Sequence, residues 1–290
     1  MKTRKGDLAE KAMLVHLQIS KWTGRTKDAK VTDEVIMAKN SDRDSGAWWT
    51  YLIPKKSLKT INYASDRCRF QHGRLTLPWM DGGLRILPSS MFIKYSQVMR
   101  KVIAEYEEAV NDFLEEYPTI IAESKKRLGK LIEGKKLPST EEIRYRFAIQ
   151  TDVLPIPSAN DFRVNLNKDE VEDIRKQISN SIETMTQKAM TEVWEQLATL
   201  IEKVRKTLKQ SDKKFKDSLI NNLKDFCELI PKLNLIDDNN LESIRKLTIK
   251  RLTNLSPDNL RSNKRERKDA HKAAKEVLEK MNTFMKGKKS

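Results

Sequence analysis

The sequence predicts a mainly α protein, with an N-terminal α+β part that holds a small β-hairpin or edge sheet, followed by a bundle of long helices. Three observations carry this. Charged residues fill 34% of the 290 positions while Gly and Pro number only 9 each, a composition of long, surface-rich helices. Apolar residues recur every three or four positions over long segments. Pro, Gly and Trp gather in LTLPWMDGGLRILPSSMF, residues 75–92, where two apolar runs flank an Asp-Gly step that favours a type I′ hairpin turn.

The elements follow in order. LVHLQISKW, residues 14–22, alternates as a strand does, with Leu17 and Ile19 opposed to His16, Gln18 and Ser20. TGRTKDAK, residues 23–30, reads as a turn or loop, and Thr32 then offers an N-cap for a short helix carrying Val35 and Ile36. A helix over about residues 55–70 places Leu58, Ile61, Ala64 or Ser65, and Cys68 on one face. In the 75–92 stretch, Pro78 and Pro88 cannot donate to a ladder and are expected at sheet edges or in a structured loop. Its Leu75, Leu77, Trp79, Leu84, Ile86 and Leu87 supply apolar surface to cover the helices that follow.

From Ser89 or Ser90 a helix of about 27 residues runs to Pro118, with Phe92, Tyr95, Met99, Val102, Tyr106, Val110, Phe113 and Tyr117 in its stripe. A second segment carries Ile121 and Leu128, and a third opens at Ser139, which has capping-box spacing to Glu142. Residues 151–166 contain two X-Pro steps and read as extended, with an edge strand in DFRVNL. Asn167 and Glu170 then open a long helix whose stripe runs from Val171 to Leu208 in ten steps over 37 residues, the period of a globular helix rather than of a left-handed coiled coil. Further helices end at Pro231, contain Ile244 to Leu252, and begin at Ser256 with Pro257 in the first position. The tail carries Ala270, Ala274, Val277, Leu278, Met281 and Met285 on one side, ready to dock or to meet a partner as a basic amphipathic helix. This gives three regions: a basic α+β region over 1–150, a strand and long bundle over 151–256, and a basic tail over 257–290.

The net charge of +16 sits at the ends. Residues 1–90 hold 17 basic and 9 acidic side chains and residues 261–290 hold 11 and 4, leaving the middle of the chain near neutral. Segments of this kind attract polyanions by releasing condensed counterions, which points to nucleic acid as partner. Basic residues are interleaved with aromatics in SKWTGRTKDAK and AWWTYLIPKKSLK, so Trp22, Arg25, Lys27, Lys30, Lys55, Lys56 and Lys59 are the candidate contacts, joined by Lys264, Arg265, Arg267 and Lys268 of the tail. Trp48, Trp49 and Trp79 are expected in the core.

Catalytic and metal chemistry find little footing. His16, His72, His271, Cys68 and Cys227 offer no pair at zinc-ligand spacing, and Cys68 with His72 lacks an orienting carboxylate. The carboxylates from Glu105 to Glu116 read as a solvated helix face, and DGG lacks a phosphate-loop setting. The expectation is therefore a non-enzymatic protein with no cofactor. No stretch of about 18 apolar residues occurs and charges interrupt the N-terminus, so a soluble protein with no membrane partner is expected, with its two cysteines as buried thiols in a reducing, cytoplasmic setting.

The order LVHLQISKWTGR, LTLPWMDGGLRILP, FLEEYPTII, RLGKLI, YRFAIQ and PIPSANDFRVNL resembles an uncharacterised protein family of bacteriophages and integrative mobile elements, over about residues 12–210. The resemblance implies a non-enzymatic role in the bacterial host cell, beside genes of recombination or replication and of ring-forming ATPases with their von Willebrand factor A domain companions. It brings no catalytic residues. The functional expectation is a nucleic-acid-binding protein of phage or mobile-element DNA metabolism, single-strand binding and homo-oligomerisation being compatible with it. The alternatives are an adaptor or substrate of a ring ATPase, with the tail as docking signal, or an inhibitor of a host protein.

Overall fold

The computed structural model describes residues 7–158, 167–209 and 216–286, and bears out the mainly α class with a small N-terminal β component. The strand expected in DFRVNL lies outside the described residues. The chain forms two compact units that do not follow sequence order. One comprises residues 1–16, 75–92 and 153–290, the other 17–74 and 93–152. Residues 7–16 and the hairpin, grouped by the sequence with the N-terminal region, thus cluster with the C-terminal helices.

Helix α1 (Asp7–Lys11) leads into β1 (Ala12–Ser20), which starts two residues earlier than the alternation indicated; its residues 12–16 belong to the first unit and 17–20 to the second. The hairpin is present: β4 (Leu77–Pro78) pairs antiparallel with β5 (Leu84–Pro88), which pairs antiparallel with β1 from Ala12↔Pro88 to His16↔Leu84. Its connection is longer than a two-residue turn, with Asp81–Gly83 forming a 3₁₀ turn in which Gly82 and Gly83 take φ of 83° and 89°. Pro78 sits on the edge strand, as its missing donor requires. Pro88 does not; it is tolerated as the last residue of the inner strand β5. Leu75, Leu77, Trp79, Ile86 and Leu87 are buried, and β4 packs on α6 (Lys168–Lys209).

Helix α6 opens as expected, Asn167 Oδ1 accepting from Glu170 N at 2.9 Å. Its C-terminal half buries Val193, Trp194, Leu197, Ile201, Val204 and Leu208 among α7 (Ser218–Leu233) and α10 (Lys264–Lys286). Pro231 does not end α7, which runs two residues on. Helix α8 (Asn239–Thr248) is capped by Asp238, whose other carboxylate oxygen accepts from Trp194 Nε1 at 3.1 Å, and it continues as a π-helical turn over Ile249–Thr253. Helix α9 (Pro257–Ser262) has Pro257 in its first turn, though Ser256 makes no side-chain cap bond. Helix α10 docks on α6 and α8, burying Ala270, Ala274, Val277 and Met281.

In the second unit, a 3₁₀ turn at Lys55–Leu58, which buries Leu58, leads into α3 (Lys59–Leu75), which buries Ile61, Ala64, Ser65 and Cys68, the face that the sequence marked. Helix α4 (Phe92–Leu128) is 37 residues long and contains Pro118, at which the sequence reading ended it. The stripe outweighs the breaker. Tyr117, Ile120, Ser124 and Leu128 continue the buried spacing past Pro118, so packing offsets the loss of one N–H donor and the local clash, a cost of about 3 kcal/mol. Cys68 Sγ donates to the Val102 carbonyl at 3.2 Å and Tyr106 Oη to the Ser20 carbonyl at 2.8 Å, tying α3 and β1 to α4. Helix α5 (Thr140–Arg144) has the full Ser139/Glu142 capping box. Strand β6 (Ala148–Leu154) is the outer neighbour of β1. Both cysteines are free and buried, and burial pushes the Cys68 and Cys227 thiols up to about 11 and about 12.

Candidate nucleic-acid interface

The segment read as a loop at residues 23–30 contains a strand. β2 (Arg25–Asp28) pairs antiparallel with β3 (Trp48–Tyr51), and α2 (Ala29–Lys39) lies between them in sequence. Directly opposed residues share a face in such a pair. The register Arg25↔Tyr51 and Lys27↔Trp49 therefore sets two cations and two aromatic rings on one side, and Thr26↔Thr50 and Asp28↔Trp48 on the other.

The second side is anchored by a buried carboxylate. Asp28, 5% exposed, receives Lys135 Nζ at 2.6 Å and Thr50 Oγ1 at 2.9 Å on Oδ2, and Val31 N on Oδ1 at 3.3 Å. The last bond makes Asp28 the N-cap of α2. Thr32, expected as that cap, lies inside the helix instead, donating to the Asp28 carbonyl and accepting from Trp48 N at 2.9 Å. The hydrogen bond from Lys135 leads the contributions that hold the Asp28 carboxyl below the usual range, followed on the same side by those from Thr50 and Val31, against the opposing effect of burial. At the entry to β2, Gly24 has φ of 65°, and a Cβ there would stand 2.9 Å from Ile53 Cγ1. Only glycine suits both the turn and that approach. Its carbonyl accepts from Leu52 N at 2.8 Å, and Arg127 Nη2 donates to the Tyr51 carbonyl at 2.7 Å.

The first side faces solvent. The Arg25 guanidinium lies over the Trp49 ring, 4.8 Å from its centroid, and Lys55 Nζ over the Tyr51 ring at 4.3 Å. Trp49 remains 44% exposed. The Tyr51 hydroxyl is held below the ordinary phenol value, first by hydrogen bonding from Lys55 and then by Arg25. An indole and a phenol ring held among three cations can stack on bases while the cations neutralise phosphate.

The structure distributes the sequence candidates unevenly. Arg25, Lys27 and Lys55 meet on this face, Lys30 is exposed on the first turn of α2, and Lys56 and Lys59 are exposed just before and at the start of α3. Trp22 does not belong to a surface. It is 7% exposed and packs edge-on against Tyr117, with ring centroids 6.0 Å apart, so the cations on either side of it in sequence misled the reading. Lys264, Arg265 and Lys268 are exposed on α10, in the other unit. Arg267 is buried, its Nε donating to the Leu208 carbonyl at 3.3 Å, so it fastens α10 to the end of α6 rather than reaching a ligand. Trp48 and Trp49, expected in the core, are exposed, whereas Trp79 is buried.

Trp49, Tyr51, Lys135 and Arg127 are not among the candidates that the sequence singles out, although the aromatics of AWWTYLIPKKSLK lie between its basic residues. The signal for the first two was the alternation in RTKD and WWTY, visible once both are taken as strands. No local signal marks Lys135 and Arg127, which reach the β2–β3 pair from more than 70 residues away. Among the described residues no three His, Cys, Asp or Glu side chains gather as a metal site, and no helix is long and apolar enough to cross a membrane. No protein-family model, curated protein or solved structure matches the chain.

Proposed function

We propose that the protein is a non-catalytic nucleic-acid-binding protein that holds an unpaired strand on the β2–β3 face. The observation that carries this is the grouping of Arg25, Lys27 and Lys55 around the exposed ring of Trp49 and the half-buried ring of Tyr51. Exposed aromatics on a two-stranded ribbon have no packing role on that side, and bases satisfy rings and cations together. The resemblance adds the setting, recombination or replication of phage or mobile-element DNA in a bacterial cytoplasm. The adaptor alternative has the long helices make the contact and the tail serve as a docking signal; the apolar side of α10 is buried on α6 and α8.

The test is binding of the full chain to labelled single-stranded and duplex oligonucleotides of equal length across a salt series. The single strand should bind more tightly, Trp49→Ala should weaken it about tenfold, and Lys27→Ala should reduce the salt slope by about 0.7. Absence of binding at low salt, or a Trp49→Ala variant that binds as well as the parent, overturns the proposal.

A further inference from the structure

Resting on that reading, we infer that the strand does not end at the β2–β3 pair but continues along the exposed face of α3, with Tyr63 and Phe70 as further stacking positions. The chain passes from Tyr51 through the cations Lys55 and Lys56 directly into α3, which begins at Lys59. At about 100° per residue, Lys59, Tyr63, Arg67, Phe70 and Arg74 fall within about 40° of one line on the helix. The opposite line is the buried one, carrying Ile61, Cys68, His72 and Leu75.

Tyr63 and Phe70 are 66% and 63% exposed, too open for rings kept for packing. Seven residues of helix separate them by about 10.5 Å, close to three base steps of about 3.4 Å. Arg67 stands between them on the stripe, held by Glu105 at 3.0 Å, and Asp66 at the edge of the stripe is engaged by Arg69 at 3.4 Å. Glu105 and Asp66 are thus already paired, and Lys55, Lys56 and Lys59 at the start of the stripe supply the charge that selects a polyanion over an apolar protein surface. A strand lying on this stripe would meet the β2–β3 pair first and reach Phe70 only after several more nucleotides.

The experiment compares the full chain with Trp49→Ala and with Tyr63→Ala/Phe70→Ala, using thymidine and uridine oligomers from about four to about twelve nucleotides. Circular dichroism checks that the exposed-ring variants remain folded. For the longest oligomers the double variant should lose about tenfold or more in affinity, while the shortest should bind it as they bind the parent. If Trp49→Ala weakens binding and Tyr63→Ala/Phe70→Ala changes nothing at any length, the α3 path is refuted and the β2–β3 reading stands. Equal losses at all lengths refute the order from β2–β3 to helix. If the parent binds neither oligomer, the functional reading fails first and this inference fails with it. A difference between the thymidine and uridine series assigns the strand to DNA or RNA within a supported path.

Discussion

Replacing Lys135 with Met should destabilise the protein by about 2–3 kcal/mol at neutral pH, and the deficit should shrink in acid. The perturbation leaves Asp28 buried without its cation while sparing the bonds from Thr50 and Val31. Removing one partner of a buried ion pair costs about 3–5 kcal/mol, and the figure is set lower here because Lys135 keeps 14% of its side chain exposed and Asp28 retains two donors. Asp28 has a depressed pKa when folded, so its contribution is present above the unfolded value near 3.9 and is lost as pH falls through the folded value. In Lys135→Met the largest lowering influence is gone while those of Thr50 and Val31 remain, so the deficit shrinks as pH falls and closes only below the depressed folded value of the parent. Urea unfolding at pH 7 and near pH 3, followed by circular dichroism, measures both numbers. A difference below about 0.5 kcal/mol at pH 7, or one that does not change with pH, refutes the argument that this ion pair anchors the β2–β3 pair.

Trp22→Ala should cost about 3–5 kcal/mol in stability, because it empties a core position against Tyr117, and urea denaturation will show it as a lower midpoint. Cys68 and Cys227, with thiols pushed up to about 11 and about 12, should react negligibly with a thiol reagent at pH 8 in the native protein and fully after denaturation. Arg267→Met should lower stability by about 1.5–3 kcal/mol through the loss of its bond to the Leu208 carbonyl, with the salt slope of oligonucleotide binding unchanged.

What the sequence disclosed was mostly local or periodic. The helix faces of α3, α4, α6 and α10, the capping box at Ser139 and the cap at Asn167 are written in spacings of three and four residues, and the hairpin around Gly82 in its turn chemistry. The β2–β3 pair is different in kind. RTKD is short and polar, its partner is about 20 residues away, and its burial falls on an aspartate, so neither hydrophobic pattern nor propensity marks it. Trp22 shows the complementary limit. Flanking cations suggested a surface, and a contact 95 positions distant put the ring in the core. Trp48 and Trp49 went the other way: they stand on opposite sides of the two-stranded ribbon, and both are exposed.

The position of Asp28 explains how such a ribbon can present aromatic rings at all. A two-stranded pair is marginal in water by itself, and exposing Trp49, with Tyr51 only half-buried, withholds apolar burial that ordinarily stabilises one. Here the missing stabilisation comes from the opposite side and from the backbone: the Asp28 carboxylate with Lys135, Thr50 and the α2 cap, the Gly24–Leu52 bond, and Arg127 on the Tyr51 carbonyl. None of these bonds engages the Trp49 or Tyr51 ring. On the proposed function, stability and recognition would fall on opposite faces of four-residue strands, the face with Arg25, Lys27, Trp49 and Tyr51 depending on a polar clasp that lies on the other. Lys135→Met should therefore weaken oligonucleotide binding without removing any contact from the binding face, in proportion to the fraction of ribbon it opens. If that variant is measurably less stable and yet binds with unchanged affinity, the strand is held elsewhere than on β2–β3.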